Sequence, residues 1–135
     1  MESMHKNDTD KSVLIKHRIQ QAKETVTEIE VLVQNRLYKI AVNRIYYGMF
    51  YMLLALALKN DFKTSKHLQL LGWFNRNFIN TGKIDISFGK MVNDAYENRA
   101  DSDYGAFVEF SETDVLTMLD DLKLFLNELE KYILN

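Results

Sequence analysis

Between Asn43 and Lys59 charge disappears from the chain: NRIYYGMFYMLLALAL is an almost unbroken apolar and aromatic run with Arg44 at its start and Lys59 at its end. Its uncharged part, Ile45 to Leu58, is shorter than the roughly 20 residues a membrane span needs, so it reads as a buried central helix. The apolar residues go all the way round. A helix without a solvated face must be packed on most sides, by other helices of its chain or by a partner subunit. The pattern therefore predicts a bundle and points to a dimer.

The flanking segments supply the cover. Ile15, Ile19, Ala22, Val26, Ile29 and Val33 recur at alternating spacings of four and three, the stripe of a long amphipathic helix with Asp10 as its expected N-cap. Residues 1–10 are polar and without periodicity, which predicts a disordered tail ahead of a single domain over 11–135. Gln34 to Arg36 is a polar break, and the central helix is expected from Leu37 to Lys59. Thr64 or Ser65 caps a third helix running to about Phe78, with Leu68, Leu71 and Trp73 as its apolar contacts. Asp85 opens a fourth, buried through Phe88, Met91, Val92, Ala95 and Tyr96. Ser111 to Asp114 reads as the capped start of the last helix, whose stripe runs from Val115 through Leu122 and Phe125 to Ile133. The expected fold class is all-α, an up-and-down bundle of four to five helices around a buried central one.

Composition agrees and narrows the chemistry. With 135 residues, 47% of them hydrophobic, the chain can bury one real core. It has no proline and five glycines, too little turn chemistry for a hairpin-built β protein. The absence of cysteine excludes disulfides and thiolate catalysis. Without a recognisable signal peptide, the expected location is the cytoplasm. A net charge of −2 draws no nucleic acid by a global field, but the charge is uneven. Lys59, Lys63, Lys66, Arg76 and Lys83 stand against Asp61 in the middle, whereas the end of the chain is acidic. Solvated helix faces explain this, and so does a local anion site.

Candidate chemistry lies on three elements. Asn43, Tyr46, Tyr47 and Phe50 share one side of the central helix, either as a tyrosine–asparagine hydrogen-bonded core or as the wall of a site. Arg44 is costly if buried alone, so it should meet a carboxylate or a phosphate. His67 falls in the first turn of the third helix beside Lys63 and Lys66, where the helix dipole favours anions and disfavours imidazolium. Arg99 lies on the buried side of the fourth helix with Asp101 and Asp103 close by, an arrangement that suits a structural ion pair or a functional arginine. No phosphate-binding glycine loop, dinucleotide fingerprint or HExxH occurs, and neither a metal site nor a cofactor is expected.

In order along the chain, Asn43-Arg44-Ile45-Tyr46-Tyr47-Gly48, Thr64-Ser65-Lys66-His67 and Arg99-Ala100-Asp101-Ser102-Asp103-Tyr104 resemble the motifs of the HEPN domain, in its small standalone prokaryotic branch. The resemblance covers roughly Leu14 to Ile133. It implies a dimerising bundle, often encoded beside a minimal nucleotidyltransferase, and in many members a metal-independent ribonuclease of a toxin–antitoxin or defence system. In such members an arginine is followed after four to six residues by a histidine, and two copies of the motif meet at the dimer interface. Arg99 fits the arginine. The positions that follow are Tyr104, Gly105 and Ala106, and no histidine occurs after His67. Metal-free RNA cleavage needs a base for the 2′-hydroxyl, an acid for the leaving oxygen and a cation for the phosphorane. Arg99 suits the cation, Tyr104 can donate a proton, and His67 replaces the missing histidine only if the fold brings it to Arg99.

The site expected on these grounds comprises Arg99, Tyr104 and His67, supported by Asp103, Asn43, Tyr47, Arg44 and Lys66, with no metal. Three functions follow: an RNA-directed toxin neutralised by a nucleotidyltransferase antitoxin, a non-catalytic nucleotide-binding subunit of such an enzyme, or a purely structural dimeric bundle.

Overall fold

The computed structural model describes residues 2–105 and 107–134, with side chains from residue 9 onward. Five α-helices make up the bundle: α1 (Glu2–Gln34), α2 (Tyr38–Lys59), α3 (His67–Phe74), α4 (Ile86–Tyr104) and α5 (Glu112–Ile133). A π-helical turn, Asn75–Ile79, continues α3. Helix α2 is central, packed by α1 along its length and by α5, α4 and α3 on its other sides. It is 22 residues long, longer than its uncharged run suggests, and by length and composition alone it can cross a membrane. Two-thirds of that stretch, 67%, is buried by the other helices, so here it is the core.

Helices α1, α2 and α5 come close together at Gly48. A Cβ built there would fall on the Thr25 hydroxyl of α1 and within 2.9 Å of Leu122 Cδ1 of α5. Thr25 is fully buried and satisfied, because its hydroxyl donates to the Ala22 carbonyl at 2.6 Å. The absence of a side chain at 48 thus lets α1 and α5 both close on α2.

Two helix ends are built alike. At the end of α1, Leu37 N–H donates to Leu32 carbonyl at 2.9 Å and Arg36 N–H to Val33 carbonyl at 3.0 Å, with Arg36 left-handed at φ 58°. At the end of α2, Phe62 and Asp61 repeat the pattern onto Ala57 and Leu58, with Asp61 at φ 59°. Both are Schellman caps with a non-glycine residue in the strained position. Asp85 and Ser111 cap α4 and α5 as the sequence predicts, the latter in a capping box with Asp114.

Four expectations are corrected. The N-cap of α3 is Lys66 without a side-chain cap, not Thr64 or Ser65, because the Thr64 hydroxyl accepts from the Lys66 N–H ahead of the helix. Helix begins at Glu2, not at Asp10, because residues 2–10 hold no proline or glycine and each added residue gains a backbone hydrogen bond. The third α-helix ends at Phe74, where the backbone widens so that Asn80 N–H reaches the Asn75 carbonyl at 2.8 Å. Asn77 Nδ2 donates to the Trp73 carbonyl at 2.8 Å in that wide turn. Leu68 is exposed, and Leu70, Leu71, Trp73 and Phe74 make the contact instead, because His67 turns its ring inward and sets the register of the helix.

Candidate functional site

Tyr46 sets the site. Its ring is fully buried on α2, and a buried hydroxyl must find a partner. The partner is Nδ1 of His67, at 2.7 Å. His67 is the first residue of α3, and its ring stacks on Phe50 with centroids 4.2 Å apart and planes 6° from parallel. Tyr47 stands edge-on to both, 5.4 Å from Tyr46 and 5.8 Å from His67.

Arg99 comes in from α4. Its Nη2 donates to the Tyr47 hydroxyl at 3.2 Å, and its Cζ lies 5.5 Å from the Tyr47 ring and 5.9 Å from the Tyr46 ring. One turn on, Asp103 places Oδ2 3.0 Å from Arg99 Nε. That Nε is buried and makes no hydrogen bond, so the pair is held by charge without N–H alignment. Asn43 Nδ2 donates to Asp103 Oδ1 at 3.3 Å, and Ser102 Oγ donates to the Lys39 carbonyl at 2.8 Å. Together these pin the end of α4 to the first turns of α2. Thirty-two positions apart in sequence, Arg99 and His67 meet around the same two phenol rings.

The electrostatics determine where the protons sit. Burial pushes the Tyr46 phenol well above its ordinary value, so it stays protonated. Burial, and then the Arg99 charge, hold His67 below its ordinary 6.5. No second acceptor lies within reach of the Tyr46 hydroxyl among the described residues. If His67 carried its proton on Nδ1, Tyr46 would have to accept and its own O–H would be orphaned in the core. The network therefore assigns Tyr46 as donor, Nδ1 as acceptor and the imidazole proton to Nε2. Imidazolium meets the same obstacle. His67 at neutral pH thus offers an N–H within the field of the Arg99 guanidinium, a second donor for an anion, with no free imidazole lone pair to take a proton.

The structure brings Arg99, His67, Tyr47, Asp103 and Asn43 together. Arg44 flanks them on the other side of Tyr47, its Cζ 5.8 Å from that ring and 5.9 Å from Tyr51, and it meets a carboxylate as expected, Glu28 at 3.1 Å. Two candidates fall elsewhere. Tyr104 is 82% exposed, with no hydrogen bond or ring contact among the described residues. Lys66 is exposed, and its backbone N–H rather than its ammonium is engaged, by the Thr64 hydroxyl at 3.1 Å. The expected tyrosine–asparagine bond does not form, because Asp103 claims Asn43 and His67 claims Tyr46. Tyr46 and Phe50, expected on the site-facing side of the central helix, prove to be the partner and the stacking surface of His67, and Tyr96, edge-on to Tyr46 at 5.6 Å, is an addition. Their contacts span elements, and no local spacing announces them.

The chain is similar to proteins that share this architecture's sequence pattern. It is 38% identical over 124 residues to a "UPF0332 protein" of Thermotoga maritima, covering 92% of this chain and 94% of the relative. It is 33% identical over 117 residues to a Methanocaldococcus jannaschii protein named "Putative toxin MJ0142", covering 87% and 80%. A second protein of that organism, named "Putative toxin MJ0605", is 27% identical over 113 residues, covering 84% of each chain. The family model of the HEPN domain matches residues 15–132, nearly the whole bundle from the first buried residue of α1 to the last turn of α5. The chain belongs to the HEPN domain family.

Proposed function

We propose that this chain is the toxin of a cytoplasmic toxin–antitoxin pair, that it acts on RNA as a homodimer, and that its antitoxin is a minimal nucleotidyltransferase. The observation behind this reading is the convergence of Arg99 and His67 on Tyr46 and Tyr47, which gathers a guanidinium and an imidazole around the same two phenol rings. Two relatives named as toxins support it. In this reading Arg99 holds the RNA phosphate and stabilises charge on the phosphorane, His67 Nε2–H donates to a second phosphate oxygen, and Asp103 with Asn43 fixes the guanidinium.

A second reading is favoured by one specific feature. Tyr46 occupies the His67 lone pair, so the site of a single chain lacks a general base, and the same donors serve a non-catalytic nucleotide- or RNA-binding subunit equally well. Cleavage and binding of a single-stranded RNA in EDTA, with wild type beside Arg99→Ala and His67→Ala and the solution mass of each, separate the two. Cleavage lost in a dimeric Arg99→Ala establishes the toxin as a metal-independent nuclease. Binding that weakens at least tenfold in Arg99→Ala without any cleavage establishes the binding subunit. Neither activity in a folded wild type overturns both.

A further inference from the structure

The face of α2 that holds the site extends past it. Lys39, Asn43, Tyr46 and Phe50 follow one another at spacings of four, three and four, so they line one side of the helix. Tyr46 and Phe50 hold His67, and Asn43 holds Asp103 beside Arg99. The Lys39 side chain has no such task. Its backbone carbonyl accepts the Ser102 hydroxyl of α4, while the side chain is exposed and meets no carboxylate among the described residues. At the other end of the site Lys66, next to His67, is exposed and equally without a carboxylate. By contrast, Lys23 of α1, Lys90 of α4 and Lys131 of α5 each pair with one.

We infer that Lys39 and Lys66 are further phosphate contacts, one on either side of Arg99, for a single RNA strand lying lengthwise along this face of α2. The inference rests on the RNA reading proposed above and gives the strand its path. Eleven residues of helix, about 16 Å, separate Lys39 from Phe50, on which His67 stacks. A strand that touches both lysines therefore carries more than one phosphate past the Arg99–His67 pair. Asp103 lies on that path, but Arg99 stands 3.0 Å from it and Asn43 donates to it, so its charge is already matched. The alternative course, over the outside of α4, is disfavoured for an anion. Asp94, Glu97 and Asp101 recur there at spacings of three and four, exposed on the side turned away from Arg99.

Beyond Lys39 the path meets a groove of about 510 Å³ walled by Tyr38 and Phe110 among others. Glu109 also lines it and disfavours a phosphate there, so the groove suits a base stacked against a ring, with the backbone outside on Lys39.

Salt dependence reads the path directly, because each phosphate contact on a single strand releases counterions. The probe is a fluorescently labelled oligouridine of about 12 nucleotides, titrated in EDTA at several salt concentrations. Lys39→Gln and Lys66→Gln are each expected to weaken binding at least threefold and to flatten the slope of log affinity against log salt by about 0.7, and the double variant by about 1.4. Lys90→Gln, on the far side of α4, should change neither quantity, and Lys39→Arg and Lys66→Arg should keep the wild-type slope. A wild type that binds no RNA overturns the RNA reading and this path with it. Binding that Arg99→Ala weakens, while both glutamine variants stay helical by circular dichroism and keep the wild-type slope, overturns the path and leaves the reading standing. A slope flattened as much by Lys90→Gln as by the other two does the same.

Discussion

His67 is where the chemistry of single residues is most exposed to test. Its folded pKa lies below the unfolded value of 6.5, first through burial and then through Arg99. As pH falls below about 6.5 the unfolded chain takes up the proton before the folded one does, so stability falls with pH over that window and is fully retained above it. Melting temperatures at pH 8.0 and 5.5 are expected to show this loss in wild type and a smaller one in His67→Gln, whose amide oxygen can still accept from Tyr46. An equal loss in both proteins would place the titrating group elsewhere. Tyr46→Phe removes the donor and frees Nδ1. It should raise the His67 pKa measured by NMR, because imidazolium no longer orphans a hydroxyl.

At the scale of elements, stability depends on how closely helices approach and how they end. Gly48→Ala is expected to cost about 1–3 kcal/mol in urea unfolding, since the added methyl falls on Thr25 Oγ1 and against Leu122. Thr25→Ala in the same chain should recover part of that loss, as it removes the atom struck first. Arg36 sits in the left-handed region that a side chain disfavours, so Arg36→Gly is expected to stabilise the chain by about 1 kcal/mol in the same assay. Serine at the start of α5 makes a reciprocal cap with Asp114, and Ser111→Ala should cost about 1 kcal/mol.

For the whole molecule, the bundle presents one incompletely covered seam, where Ile40 of α2 is exposed and Arg44, Tyr47, Tyr51 and Leu54 are half-buried, and the candidate site opens beside it. A helix as apolar as α2 gains from burying that seam, and the proposed homodimer ties oligomeric state to the proposed function. If the dimer holds, diluting the protein through its dissociation constant should reduce RNA binding in step with the dimer fraction followed by sedimentation. RNA binding that persists in the monomer would separate the site from assembly.

Much of this was legible beforehand, for a physical reason. Helix periodicity, the Asp85 and Ser111 caps and the burial of α2 are local properties, written within a few turns by spacing and side-chain type. The motifs around Asn43, His67 and Arg99 pointed to the HEPN family for the same reason, and the ion pair of Arg99 with Asp103 is one helical turn long. Tertiary structure alone decided that His67 faces Tyr46, that Asn43 serves Asp103 rather than a tyrosine, and that Tyr104 stands outside the site in its own chain. Those outcomes depend on how α3 and α4 cross α2, on distances between residues 21 to 60 positions apart that no periodicity encodes. The widened turn after Phe74 and the helical start at Glu2 likewise emerged from backbone hydrogen bonding, which a pattern of apolar positions does not record.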